Sequence, residues 1–74
     1  MRLSEFWFAM NEEFGEAYAR VITRDLALAP LGSRTADEAL GAGVPAKDVW
    51  LAICDAQDVP LSRRHGVGQR KPAR

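Results

Sequence analysis

The stretch RTADEALGAGVPAKDVWLAIC, residues 34–54, constrains the fold more than any other part of this chain. It reads as a short helix, a glycine turn and a second helix. Thr35 and Glu38 stand at the T-x-x-E spacing of a capping box, in which each side chain satisfies a free first-turn amide of the other residue. Of Gly41 and Gly43, the latter better fits the C-terminal turn. Pro45 stands near the start of the next helix, where its missing N–H costs nothing. Val49, Trp50, Ile53 and Ala56 then share one face, with Cys54 at its edge, and Val59-Pro60 ends the segment. Ala39, Gly43, Val44 and Val49 fall where a helix-turn-helix wants a small residue, a turn glycine and two core aliphatics. Ala52 is smaller than such a motif usually has. The outward side of the second helix carries Lys47, Asp48, Leu51, Asp55 and Asp58. A recognition helix needs Arg, Lys, Asn or Gln to read base edges, and three carboxylates would repel a phosphate lattice. The pair is therefore expected to be helix-turn-helix-like in packing rather than in DNA readout.

Two further helices are predicted upstream. Ser4 is a plausible N-cap for the first, Glu5 suits its positive end, and Leu3, Phe6, Trp7, Met10 and Phe14 recur at three- and four-residue steps. Gly15 is expected to end it. The second spans about residues 16–28, with Ala17, Tyr18, Val21, Ile22 and Leu28 inward and Glu16, Arg20, Thr23 and Arg24 outward. Asp25 falls on the inward arc, where an unpaired carboxylate would be costly. Either the helix frays there or Asp25 has a partner. Arg34, just past the Pro30-Leu31-Gly32 turn, is the nearest base, which predicts a structural ion pair. The fold class is thus all-α, a small bundle of three to four short helices. The expected core adds Leu40, Val49, Trp50 and Ile53 to the large residues just named.

Composition narrows the function. A chain of 74 residues supports one domain with one thin core, too small for a deep catalytic cleft. One cysteine and one histidine exclude an internal disulfide framework and a four-ligand zinc site. No cofactor or metal motif is present, and no apolar run approaches the roughly 20 residues of a membrane span. The start, MRLSE, lacks the apolar core of a signal peptide, so a cytoplasmic location is expected.

The zero net charge conceals two opposed halves. Residues 1–60 hold all ten acids and five bases, a net charge of −5, whereas residues 61–74 hold Arg63, Arg64, Arg70, Lys71 and Arg74 with no acid. The composition also turns glycine-rich and polar there. This divides the chain into a helical domain, 1–60, and a basic tail, 61–74, expected to be disordered. Such a tail suits nucleic acid or another acidic partner, or it serves only to solvate the domain.

Little else carries chemistry. Cys54 has no neighbouring histidine and reads as a small hydrophobe. His65 lies in the tail. Both tryptophans sit on apolar arcs, as core residues do, without interleaved bases. No enzymatic constellation emerges. Phe8 and Leu51 alone break the pattern, as large apolar residues on charged faces, and together they would make a small partner-binding patch. The reading is a non-enzymatic protein-interaction or regulatory module, the alternative a nucleic-acid accessory protein acting through its tail.

The opening M-R-L-S-E-F-W, F-G-x-A-Y-A over residues 14–19, R-D at Arg24-Asp25, R-T-x-x-E-A-L-x-x-G-V, V-W-x-x-I-C and D-V-P occur in this order. In them the chain resembles a short actinobacterial family of domains of unknown function, often encoded near the recombinase A and RecX regulator genes. The resemblance covers residues 1 to about 60. It implies a cytoplasmic, all-helical bacterial protein with no established activity and no catalytic residues to carry over, in a neighbourhood suggestive of DNA repair. Phe8 and Leu51 depart from the polar or basic residues expected there, and the basic tail extends past the family's core.

Overall fold

The computed structural model describes residues 1–64. They form four α-helices, α1 (Leu3–Phe14), α2 (Glu16–Asp25), α3 (Ala36–Gly41) and α4 (Ala46–Ala56), with 3-10 turns at Ala29–Leu31 and Leu61–Arg63. Contacts close in a ring: α1 packs on α2, α2 on α3, α3 on α4, and α4 on α1. The all-α bundle expected from the periodicity is what forms.

Each boundary has a local cause. Arg2, not Ser4, occupies the N-cap of α1, because Glu5 reaches back to accept the Arg2 backbone N–H at 2.7 Å. Ser4 lies inside the first turn. A single residue, Gly15, joins α1 to α2 at φ 86°, ψ 149°, a conformation closed to side chains. The capping box of α3 forms as expected: Thr35 N–H donates to Glu38 at 2.9 Å, and Glu38 N–H to the Thr35 hydroxyl at 3.2 Å. Past α3, Gly43 takes φ 94°, Gly43 N–H donates to the Leu40 carbonyl and Val44 N–H to that of Ala39. These are the two bonds of a Schellman stop. The end of α4 repeats the arrangement without a glycine. Asp58 takes φ 57°, its N–H donates to Asp55, and the buried Val59 donates to Cys54.

Helix α2 is shorter than expected, ending at Asp25 instead of running to residue 28. Pro30 lacks the N–H that a longer α-helix would need. The chain instead pairs Leu28 with Arg34 in an isolated antiparallel bridge, Leu28 N–H to the Arg34 carbonyl at 2.8 Å. Leu28 is buried there as an anchor outside any helix.

The core is Phe6, Met10, Ile22, Leu28, Val49, Trp50, Ile53, Cys54 and Val59, with five alanines (9, 19, 36, 39 and 52) between the large side chains. Three expected core residues are exposed: Leu3, Tyr18 and Val21. Leu3 is the first residue of α1; for Tyr18 and Val21 the reason is a rotation of α2 by about one residue. Its inward face is Ala19, Ile22 and Thr23, and Thr23 is buried because its hydroxyl donates to the Arg20 carbonyl at 3.1 Å, leaving no polar atom unsatisfied. An arc drawn through the largest apolar residues misses a seam lined by alanine and a self-satisfied threonine. Trp7, Phe14 and Leu40 are half-buried against the core.

Candidate functional site

The two residues singled out as a patch behave differently. Phe8 is 50% exposed on α1, and its neighbours one turn away are Ser4, Glu5, Asn11 and Glu12. Leu51, expected to look outward with it, is half-buried and packed against the core. Helix α4 is short and touched by α1, α3 and the Ala29–Leu31 turn, so its buried arc is wide enough to take in Leu51 and Ala52. Leu51 is therefore withdrawn from the candidate surface. Sequence reasoning missed other exposed apolar side chains: Leu3 on α1, and Tyr18 and Val21 three residues apart on α2. Arg20 and Arg24 flank them. The signal available was the acceptable alternative arc through Ala19, Ile22 and Thr23.

The expected ion pair between Asp25 and Arg34 does not form. Asp25 ends α2 with its side chain 59% exposed, and its carboxylate pairs with Arg24 at 3.2 Å. The acid needs no buried partner because helix termination carries it into solvent. Arg34 is exposed and contributes its backbone carbonyl to the Leu28 bridge.

Two tail cations are held by the domain. Arg63 grips Glu13 of α1 with a fork, Nε to both carboxylate oxygens at 3.1 Å and Nη2 to one at 2.9 Å. This raises the Arg63 pKa above its ordinary value through the Glu13 hydrogen bonds and charge. Arg64 donates to the Val59 carbonyl at 2.7 Å, to the Cys54 carbonyl at 3.4 Å and to the Asp55 carboxylate. Its own carbonyl accepts the Trp50 indole N–H. Residues 61–64, assigned by composition to the tail, thus fold back onto the ends of α1 and α4. Arg70, Lys71 and Arg74 lie outside the described residues, as does His65.

Around this end sit stacked edges of aromatic rings: Phe14 meets Trp50 at 6.4 Å and Tyr18 at 6.2 Å between centroids. The Tyr18 hydroxyl donates to Gln57 at 3.4 Å. Cys54 is fully buried, and burial pushes its thiol up to about 12 from 9.0; Arg64 opposes the shift, while Glu13 and Asp55 add to it. A thiol so far from ionisation is a poor nucleophile at neutral pH. Among the described residues no cluster of histidine, cysteine, aspartate and glutamate is placed to hold a metal. Nor is any described helix long and apolar enough to cross a membrane.

These features define a small all-α domain with an exposed aromatic on an acidic helix face and a basic segment latched to its end. The chain belongs to the family described as protein of unknown function (DUF3046), whose model matches residues 1–62. That match ends at residue 62, inside the Leu61–Arg63 turn, so the family's span passes the composition boundary at residue 60. Comparison with curated proteins and with solved structures gave no significant match.

Proposed function

We propose that the protein is a non-enzymatic interaction or regulatory module that docks a protein partner through the outward face of α1, centred on Phe8. The observation that carries this reading is the exposure of Phe8 among polar and acidic neighbours. A phenyl ring half in water contributes little to folding, and burying it at an interface would recover apolar area that the monomer leaves wet. The acidic body, net −5 over residues 1–60, favours a partner that brings basic groups around an apolar pocket. The α3–α4 pair serves packing in this reading. Its outward Asp48 and Asp55, against the single Lys47, are unsuited to base readout.

The rival reading, a nucleic-acid accessory protein acting through residues 61–74, is weakened by the engagement of Arg63 and Arg64 with Glu13 and Asp55. Two of its five cations already have partners. The test compares parent and Phe8→Ser proteins, matched in melting temperature, as baits in cytoplasmic extract. A partner retained by the parent and lost by the variant supports docking at Phe8; equal retention overturns it. Binding of duplex or single-stranded DNA that falls steeply with salt would favour the rival.

A further inference from the structure

The segment after Val59 crosses back over the end of the molecule without burying an apolar side chain. Val59 is the last buried residue among those described, the Leu61–Arg63 turn buries none, and Leu61 is 76% exposed. What attaches it is polar: the Arg63 fork to Glu13, the Arg64 contacts to Asp55, Val59 and Cys54, and the Trp50 indole N–H donated to the Arg64 carbonyl. Each ion pair has one member open to solvent, the Arg63 side chain 57% and that of Asp55 64% exposed, and one largely covered, Glu13 at 15% and Arg64 at 18%. Beneath lies Trp50, which is buried.

Lifting such a segment exposes little apolar area, so its opening costs less free energy than unfolding the helices beneath it. The exposed member of each ion pair, Arg63 and Asp55, is open to counterions, so that cost falls as salt rises. We propose that residues 60–64 form a latch that opens as a unit while the four helices stay folded, controlled by ionic strength and exposing the indole edge of Trp50. The latch is independent of docking at Phe8, since Glu13 and Phe8 occupy different faces of α1, five residues apart.

The full chain supplies its own reporter, because the indole N–H of Trp50 exchanges with solvent only when Arg64 withdraws. Nitrogen-15 labelled protein gives separate indole signals for Trp7 and Trp50, read beside the backbone amides of α4. Between about 0.1 M and about 1 M salt, where the Debye length falls from about 10 Å to about 3 Å, Trp50 indole exchange should accelerate several-fold while the Ile53 amide is unchanged. Arg63→Gln and, from the other side, Glu13→Gln should each bring the low-salt rate up toward the high-salt rate. Arg24→Gln, which breaks the pair with Asp25 on α2, should leave it unmoved. Exchange of the Trp50 indole in step with the Ile53 amide, at every salt concentration and in both latch variants, would overturn the proposal.

Discussion

Arg64 closes a loop with Trp50: its carbonyl accepts the indole N–H, while its guanidinium bonds the Cys54 carbonyl in the last turn of the helix that carries Trp50 and the Val59 carbonyl three residues past that helix. The Cys54 carbonyl already accepts the Val59 N–H, and a cation placed there adds a second bond and offsets the negative end of the dipole. One residue of the basic segment thereby completes α4. Arg64→Ala should lower stability by about 1.5–3 kcal/mol, the range for hydrogen bonds to a charged group. Arg64→Lys keeps the charge near Asp55 but has no planar fork to span two carbonyls, so it should fall between parent and alanine. Urea midpoints of the three proteins decide it, and an unchanged midpoint in Arg64→Ala would remove Arg64 from any capping role.

Glycines 15 and 41 predict opposite outcomes for the same substitution. A Cβ at either meets nothing within 4 Å, so space does not separate them. Gly15 has φ 86°, whereas Gly41 closes α3 with no positive φ. Gly15→Ala should destabilise by more than about 1 kcal/mol, since the single-residue joint between α1 and α2 must distort. Gly41→Ala should stabilise by about 0.4–1 kcal/mol by restricting the unfolded chain. Thermal melts of the two variants check both signs at once.

The contrast shows which information the sequence carries openly. Signals with one physical meaning were legible: the T-x-x-E box at Thr35 and Glu38, the Gly43 stop, and the step pattern that sets α4 inward through Val49, Trp50 and Ile53. What was lost depended on partners distant in sequence. The inward face of α2 was misassigned because Ala19 and Thr23 carry little apolar weight, and the larger Tyr18 and Val21 drew the arc toward themselves. Of the candidate patch, Phe8 was found because its one-turn neighbours are all polar. Leu51 has charged neighbours as well, but three elements around α4 bury part of it. The basic run at residues 61–64 looked like a solvated tail because its acceptors, Glu13 and Asp55, lie 50 and 9 residues away.

Asp58 holds a left-handed conformation at φ 57° just past α4, where Gly43 does the same work past α3. An aspartate there has both the steric cost of a Cβ at positive φ and a negative charge at the negative end of a helix. Asp58→Gly should therefore stabilise by about 0.5–1 kcal/mol, and Asp58→Asn by less, through charge alone. Asp58→Val should do the reverse, because a branched side chain is excluded from that region. Denaturant midpoints that rank glycine at or below the parent would show that the Asp58 carboxylate has a compensating role.

Cys54 makes stability depend on pH in the alkaline range. Its thiol is held up to about 12 by burial, against 9.0 for the free group. Below pH 9.0 the thiol is protonated whether the chain is folded or not, and stability does not depend on it. Between 9.0 and about 12 the unfolded chain releases the proton and the folded chain keeps it. Stability must then fall as pH rises, by up to about 1.4 kcal/mol for each pH unit. Cys54→Ala leaves a small cavity and so starts from a lower stability, but it removes this slope. Titrating the urea midpoint of parent and variant upward from neutral pH isolates the thiol, because every other titrating side chain is common to both. The two curves should run parallel at first and converge above pH 9.0. Curves that stay parallel throughout would mean that water already reaches Cys54 in the folded protein.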